Sequence, residues 1–144
     1  MDGKIDAGAT LGIQQLAYIG DAVCELYTRE TLLLRGNFPA GKLNKMAKGF
    51  VSCEAQSDAV ERILPLLTEK EEAVFRRGRN TKTAHSPSHG DIIQYRRATG
   101  FEALLGWLYM NGETSRAREL FEKAYAPALA DSAETAVNER SKES

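Results

Sequence analysis

The sequence is short of several things, and each shortage removes a class of explanation. No apolar run approaches the roughly 18–20 residues that span a bilayer, so no membrane segment is expected. The opening residues, MDGKIDAGATLGI, lack the basic start and apolar block of a secretory signal, and a cytosolic protein is expected. Cysteine is scarce: Cys24 and Cys53 have no metal-type spacing and read as reduced thiols. His85 and His89 are separated by Ser86, Pro87 and Ser88, which argues against a continuous helix and a metal-binding pair there. No segment alternates apolar and polar residues in the manner of a strand, and no Gly-rich phosphate loop follows one. What remains is an all-α fold of six to seven helices, one domain at 144 residues. An excess of one charge is also lacking, since the net charge is −1.

The charges are nevertheless unevenly placed. Arg35, Lys42, Lys45 and Lys48 lie between Arg35 and Phe50 with no acid among them. Arg76, Arg77, Arg79, Lys82, Arg96 and Arg97 lie between Arg76 and Arg97 against Asp91 alone. A near-neutral chain with two cationic segments reads as a localised surface for a polyanion.

The clearest helix is Gln14 to Leu34. Leu16, Ile19, Val23, Leu26, Tyr27, Leu33 and Leu34 follow the spacing of one helical face, and Asp21 projects away from it. Gly20 and Asp21 are both unfavourable in a helix interior, and their adjacency suggests a site rather than a scaffold. Before this helix, residues 1–13 read as a poorly ordered arm. After it come a helix from Ala40 to Lys48, a break or close-packing point at Gly49, and a helix capped by Ser52 that stops near Pro65. Thr68 and Glu71 form a capping-box signature opening a helix to about Arg77.

Residues 78–92 read as a long loop carrying Arg79, Asn80 and Lys82, donors suited to phosphates, sugars and base edges. The next helix, Ile93 to Met110, is apolar at Phe101, Leu104, Leu105, Leu108 and Tyr109, with Glu102 on its flank. Ala98 and Gly106 stand four residues either side of Glu102, and Ala17 stands four before Asp21. Such small residues either leave room for an ion and a phosphate or allow close helix packing; spacing alone leaves both open. Asn111-Gly112 ends this helix, Glu113 to Tyr125 forms the last one, and 127–144 reads as a polar, disordered tail.

LAYIGDAVCELYTR resembles the signature helix of ribonuclease III catalytic domains, and ATGFEALLGWLY resembles that fold's later metal-binding helix. With RGRN and the segment Tyr95 to Thr99, the set is closer still to the Mini-ribonuclease III subfamily, which consists of the catalytic domain alone. The likeness covers about Leu16 to Tyr125, within an expected catalytic domain of 14–126. It implies a homodimeric, divalent-metal-dependent endoribonuclease of double-stranded RNA, with one active site per subunit and the two cutting opposite strands. It also implies maturation of 23S ribosomal RNA precursor ends. Asp21 and Glu102 match the family's metal-binding catalytic carboxylates, with Mg2+ as cofactor and Mn2+ able to substitute. Tyr18 matches an aromatic that packs across the dimer interface. Ala17 and Thr99 stand where full-length relatives have a glutamate and an aspartate. These departures fit the subfamily and put a four-carboxylate cage in doubt.

The chemistry also stands on the residues. Phosphodiester hydrolysis needs an activated water and stabilised charge on the attacking and leaving oxygens, which carboxylate-held Mg2+ provides. Mg2+ commonly binds through one or two protein carboxylates, keeping several waters. Glu25, one turn after Asp21, reads either as an outer-shell hydrogen-bonding group or as a surface charge. Lys42, Lys45, Lys48, Arg77, Arg79, Asn80, Lys82, Arg96 and Arg97 form the expected RNA-binding set. A-form RNA would be read mainly by shape and backbone. With no second core after Tyr125, no separate RNA-binding domain is expected, and the 78–92 loop would take on that work. The alternative is a catalytically inactive RNA-binding module on the same fold, kept open by Ala17 and Thr99. A helical protein–protein adaptor leaves the basic segments unexplained, and a salt titration of RNA binding separates it.

Overall fold

A computed structural model describes residues 11–81 and 92–130. Among them the helices are α1 (Ile13–Leu33), α2 (Ala40–Val51), α3 (Cys53–Ile63), α4 (Glu69–Arg79), α5 (Ile92–Met110) and α6 (Thr114–Ala124). A 3-10 turn, Leu64–Leu66, links α3 to α4. No strand occurs among the described residues, and none of their helices is long and apolar enough to cross a membrane. The all-α expectation holds.

The start and stop signals act as their chemistry requires. The Gly12 N–H donates to Gln15 Oε1 at 3.0 Å ahead of α1. Ser52 Oγ accepts from Ala55 N at 3.2 Å to cap α3. Thr68 N donates to Glu71 Oε1 (2.9 Å) and Glu71 N to Thr68 Oγ1 (3.2 Å), completing the capping box of α4. Gly112 takes φ 77°, a left-handed turn that glycine allows at little cost. Gly49 does not break the chain: α2 runs through it to Val51, because nothing crowds its exposed position and the helix costs it little more than entropy. Helix α4 continues to Arg79, so residues 78 and 79 are helical rather than loop, and residues 82–91 of the expected loop lie outside the described residues. At the other end, 126–130 is helical beyond Pro127, and Ala128 and Leu129 pack against the core.

The hub of the fold is α5 rather than α1. Ala98, Gly100, Phe101, Ala103, Leu104, Leu105, Gly106 and Leu108 are buried, covering most of its circumference, and α1, α3, α4 and α6 all pack on it. A helix apolar nearly all round belongs in the centre of a bundle. The stripe expected on α1 is therefore only partly internal. Leu16, Val23 and Tyr27 are buried together with Gly20, Cys24, Thr28 and Leu32, whereas Leu26, Leu33 and Leu34 are exposed. Against α5 the core closes with aromatic rings: Tyr27 meets Phe121 edge-on at 5.6 Å, and Phe50 and Phe121 both contact Tyr125.

Two glycine pairs set how closely α5 is approached. A Cβ on Gly20 would stand 1.6 Å from the Glu102 carbonyl oxygen, and one on Gly106 would stand 2.0 Å from the Leu16 carbonyl oxygen. Gly78 and Gly100 do the same at the α4–α5 crossing, where a Cβ on Gly100 would lie 2.7 Å from Phe75 O. Main chain therefore touches main chain at both crossings.

Candidate functional site

The α1–α5 crossing decides where two carboxylates go. Gly20 rests on the backbone of Glu102, and Asp21 is the next residue along α1. Asp21 is solvent-exposed, while Glu102 is partly buried between the two helices. The carboxyl of Glu102 is pushed up to about 8, first by burial, then by the Asp21 charge, a hydrogen bond to Asp21 and the Glu25 charge. A bound cation would offset the charge that the Asp21 carboxylate imposes on Glu102. Among the described residues neither Asp21 nor Glu102 has an arginine or lysine ion-pair partner, so their oxygens are available to one.

The donor set is hard oxygen from two side chains. Among the described residues no group of three or more His, Cys, Asp or Glu is assembled to hold a metal. Two carboxylates could together offer oxygen atoms to a hard divalent cation. Ala17 and Thr99 supply no extra charge; the Thr99 hydroxyl donates to Tyr95 O at 3.0 Å, within its own helix. Glu25 is exposed and pairs with Arg29 at 3.6 Å. The small residues flanking the acids divide into two roles: Gly20 and Gly106 serve backbone contact, and partly buried Ala17 packs in a small cluster with Leu16, Val74 and Ala103.

The expected RNA-binding residues are distributed over three elements. Lys42, Lys45 and Lys48 are exposed on α2; the Lys42 ammonium lies 4.6 Å from the centre of the Phe38 ring, and Lys48 borders a cavity between α1 and α2. Arg77 and Asn80 edge a surface depression that also includes Ile13 and Thr81. Arg79 closes α4, with its Nε donating to Asn80 Oδ1 at 3.2 Å, and Asn80 is the C-cap. Arg96 is exposed, but Arg97 is engaged by Glu61 of α3. Lys82, His85 and His89 lie outside the described residues. Tyr18 is 84% exposed on α1, in line with Ala22 and Leu26 at successive four-residue steps.

Sequence reasoning missed a buried polar cluster near the acids. Gln56 Nε2 donates to Cys24 Sγ at 3.7 Å, and the Tyr125 hydroxyl donates to Phe50 O at 2.5 Å. Burial pushes the Cys24 thiol up to about 12, so it is an inert neutral group. Cys24 at the apolar face was legible; Gln56 and Tyr125 gave no periodic signal, because their partners come from other helices.

Comparison with known proteins adds an independent line. The Ribonuclease III domain family model matches residues 14–113. The Mini-ribonuclease 3 of a Thermoanaerobacter species is 45% identical over 107 residues, covering 74% of this chain and 75% of that protein. That of Symbiobacterium thermophilum is 42% identical over 115 residues, covering 80% and 88% respectively. A Fusobacterium nucleatum protein of known crystal structure superimposes with a TM-score of 0.73 at 26% identity, covering 82% of this chain and 94% of its own.

Proposed function

The chain belongs to the ribonuclease III family, and from that premise we propose that it is an endoribonuclease of double-stranded RNA that works with a divalent cation at Asp21 and Glu102. The observation that carries this reading is the glycine crossing, beside which exposed Asp21 and partly buried Glu102 act on each other with no arginine or lysine ion-pair partner among the described residues.

Bound there, Mg2+ (or Mn2+) would acidify a water and offset charge on the phosphate. The protein's own part is positional. Asp21 presents its carboxylate to solvent, where a phosphate can approach. Glu102, held against α1, would supply a second carboxylate oxygen to the cation. Lys42, Lys45 and Lys48, together with Arg77, Arg79, Asn80, Lys82 and Arg96, would hold the RNA backbone. Arg97 would join them only by leaving Glu61.

Exposed Tyr18, Ala22 and Leu26 support an assembly in which two copies pair through this face of α1 and each cuts one strand. In this reading the substrate is precursor ribosomal RNA, trimmed at 23S ends in the cytosol.

The test is cleavage of a long RNA duplex with Mg2+ by the wild type and by Asp21→Asn. Wild type should cut duplex and spare single strands, and Asp21→Asn should bind but cut at least about a hundredfold more slowly. A second reading, an RNA-binding module without catalysis, is favoured by the absence of acids at Ala17 and Thr99. It prevails if neither protein cuts and both bind alike.

A further inference from the structure

Apart from Lys48 at its rim, the cavity between α1 and α2 has no part in the reaction just described. Its volume is about 460 Å3, within the range of small-ligand sites. Leu43, Ala47 and Val51 give it an apolar wall, and Asn44, Lys48 and Arg29 supply polar groups. An apolar wall suits the π-face of a nucleobase, an amide can both donate to and accept from a base edge, and an ammonium suits a phosphate.

The cavity's position connects it to the acids. Glu25 lines it, and stands about 6 Å along α1 from Asp21 by helical rise. Its charge also acts on Glu102. Arg29 faces Glu25 at 3.6 Å, offsetting the one negative charge that a phosphate would meet there. Lys48 continues the cationic run of Lys42 and Lys45 into the cavity, so the pocket is continuous with the proposed RNA surface.

We propose that the α1–α2 cavity receives one unpaired nucleobase of the RNA strand passing the carboxylates, with its phosphate at Lys48. The assignment rests on the nuclease reading above. Paired bases cannot leave the stack without cost, whereas a bulged or overhanging base is already free to enter.

The experiment uses Asp21→Asn protein, so that RNA is bound without being cut. Two duplexes of equal length are compared at fixed salt, one fully paired and one with a single unpaired 2-aminopurine. The duplex with the unpaired base should bind about tenfold tighter, with a change in 2-aminopurine fluorescence. Adding Ala47→Trp should abolish both effects while leaving the paired duplex's affinity unchanged. Adding Asn44→Ala, at an exposed position that leaves the core intact, should reduce the preference severalfold. Equal affinity for the two duplexes, or a preference that survives both variants, would overturn the proposal. So would adenosine monophosphate binding in the cavity with no preference for the unpaired base, which would assign the pocket to free nucleotide. Failure of both duplexes to bind would instead overturn the nuclease reading itself.

Discussion

A methyl group at Gly20 would overlap the Glu102 carbonyl at 1.6 Å, and helix backbone cannot step aside as a side chain can. Gly20→Ala is therefore expected to destabilise the protein by more than about 3 kcal/mol in urea titrations, despite alanine's better helix propensity. A neutral or stabilising result would mean that α1 and α5 do not touch there. Glu102 permits a second prediction. Its folded pKa of about 8 lies above its ordinary 4.5, so its contribution to metal-free stability is full below about 4.5 and is lost as pH rises through 8. Glu102→Gln should remove that decline, stabilising the metal-free protein relative to wild type at pH 8.5 by up to a few kcal/mol, read as a higher melting temperature. Mg2+ should stabilise wild type at pH 8.5 and leave Glu102→Gln nearly unmoved. Sequence marked Gly20-Asp21 as unusual and read the pair as a site rather than a scaffold. It could not say that Gly20 is there for contact, because the atom excluded belongs to a residue 82 positions away, and α5 reveals its position only when folded.

At the level of elements, α4 is tied down by its first turn. The buried Glu71 carboxylate accepts from Thr68 N and takes both Nε and Nη2 of Arg116 at 2.9 Å. The Arg116 bond, followed by the Thr68 cap, outweighs burial and holds Glu71 below the usual carboxylate range. A depressed acid contributes stability above its unfolded value, and the contribution disappears as pH falls through the folded one. Glu71→Ala should thus cost about 3 kcal/mol at pH 7 and much less at pH 3, read from paired denaturation curves. The signals for the ends of elements were readable because capping is local: Ser52, Thr68 with Glu71, and Gly112 act within a few residues. The extent of α2 through Gly49 was not, since a helical glycine in open space has no signature. Nor was the centrality of α5: a helix buried nearly all round has no single stripe to read, whereas half-exposed α1 seemed the stronger organiser.

For the whole molecule, the exposed row of Tyr18, Ala22 and Leu26 is one feature that a single copy leaves unexplained. Tyr18→Asp should shift sedimentation from dimer to monomer at micromolar concentration without lowering the melting temperature of the separated chain. A sedimentation profile identical to wild type would remove this face from the interface. Sequence conveyed that cations cluster in two segments, but not that Arg97 is held by Glu61 or that Lys48 turns toward a cavity. Charge counts carry no information about which partners folding supplies.

The gap between the two acids is set where one helix backbone lies on another, with no side chain interposed as a spacer. It works like a gauge block in a machine shop. Rotamer changes, swapped core residues or rising temperature can loosen much of the surrounding packing before they alter that dimension. Substitutions on surfaces away from that crossing should therefore leave the spacing of the two acids unchanged.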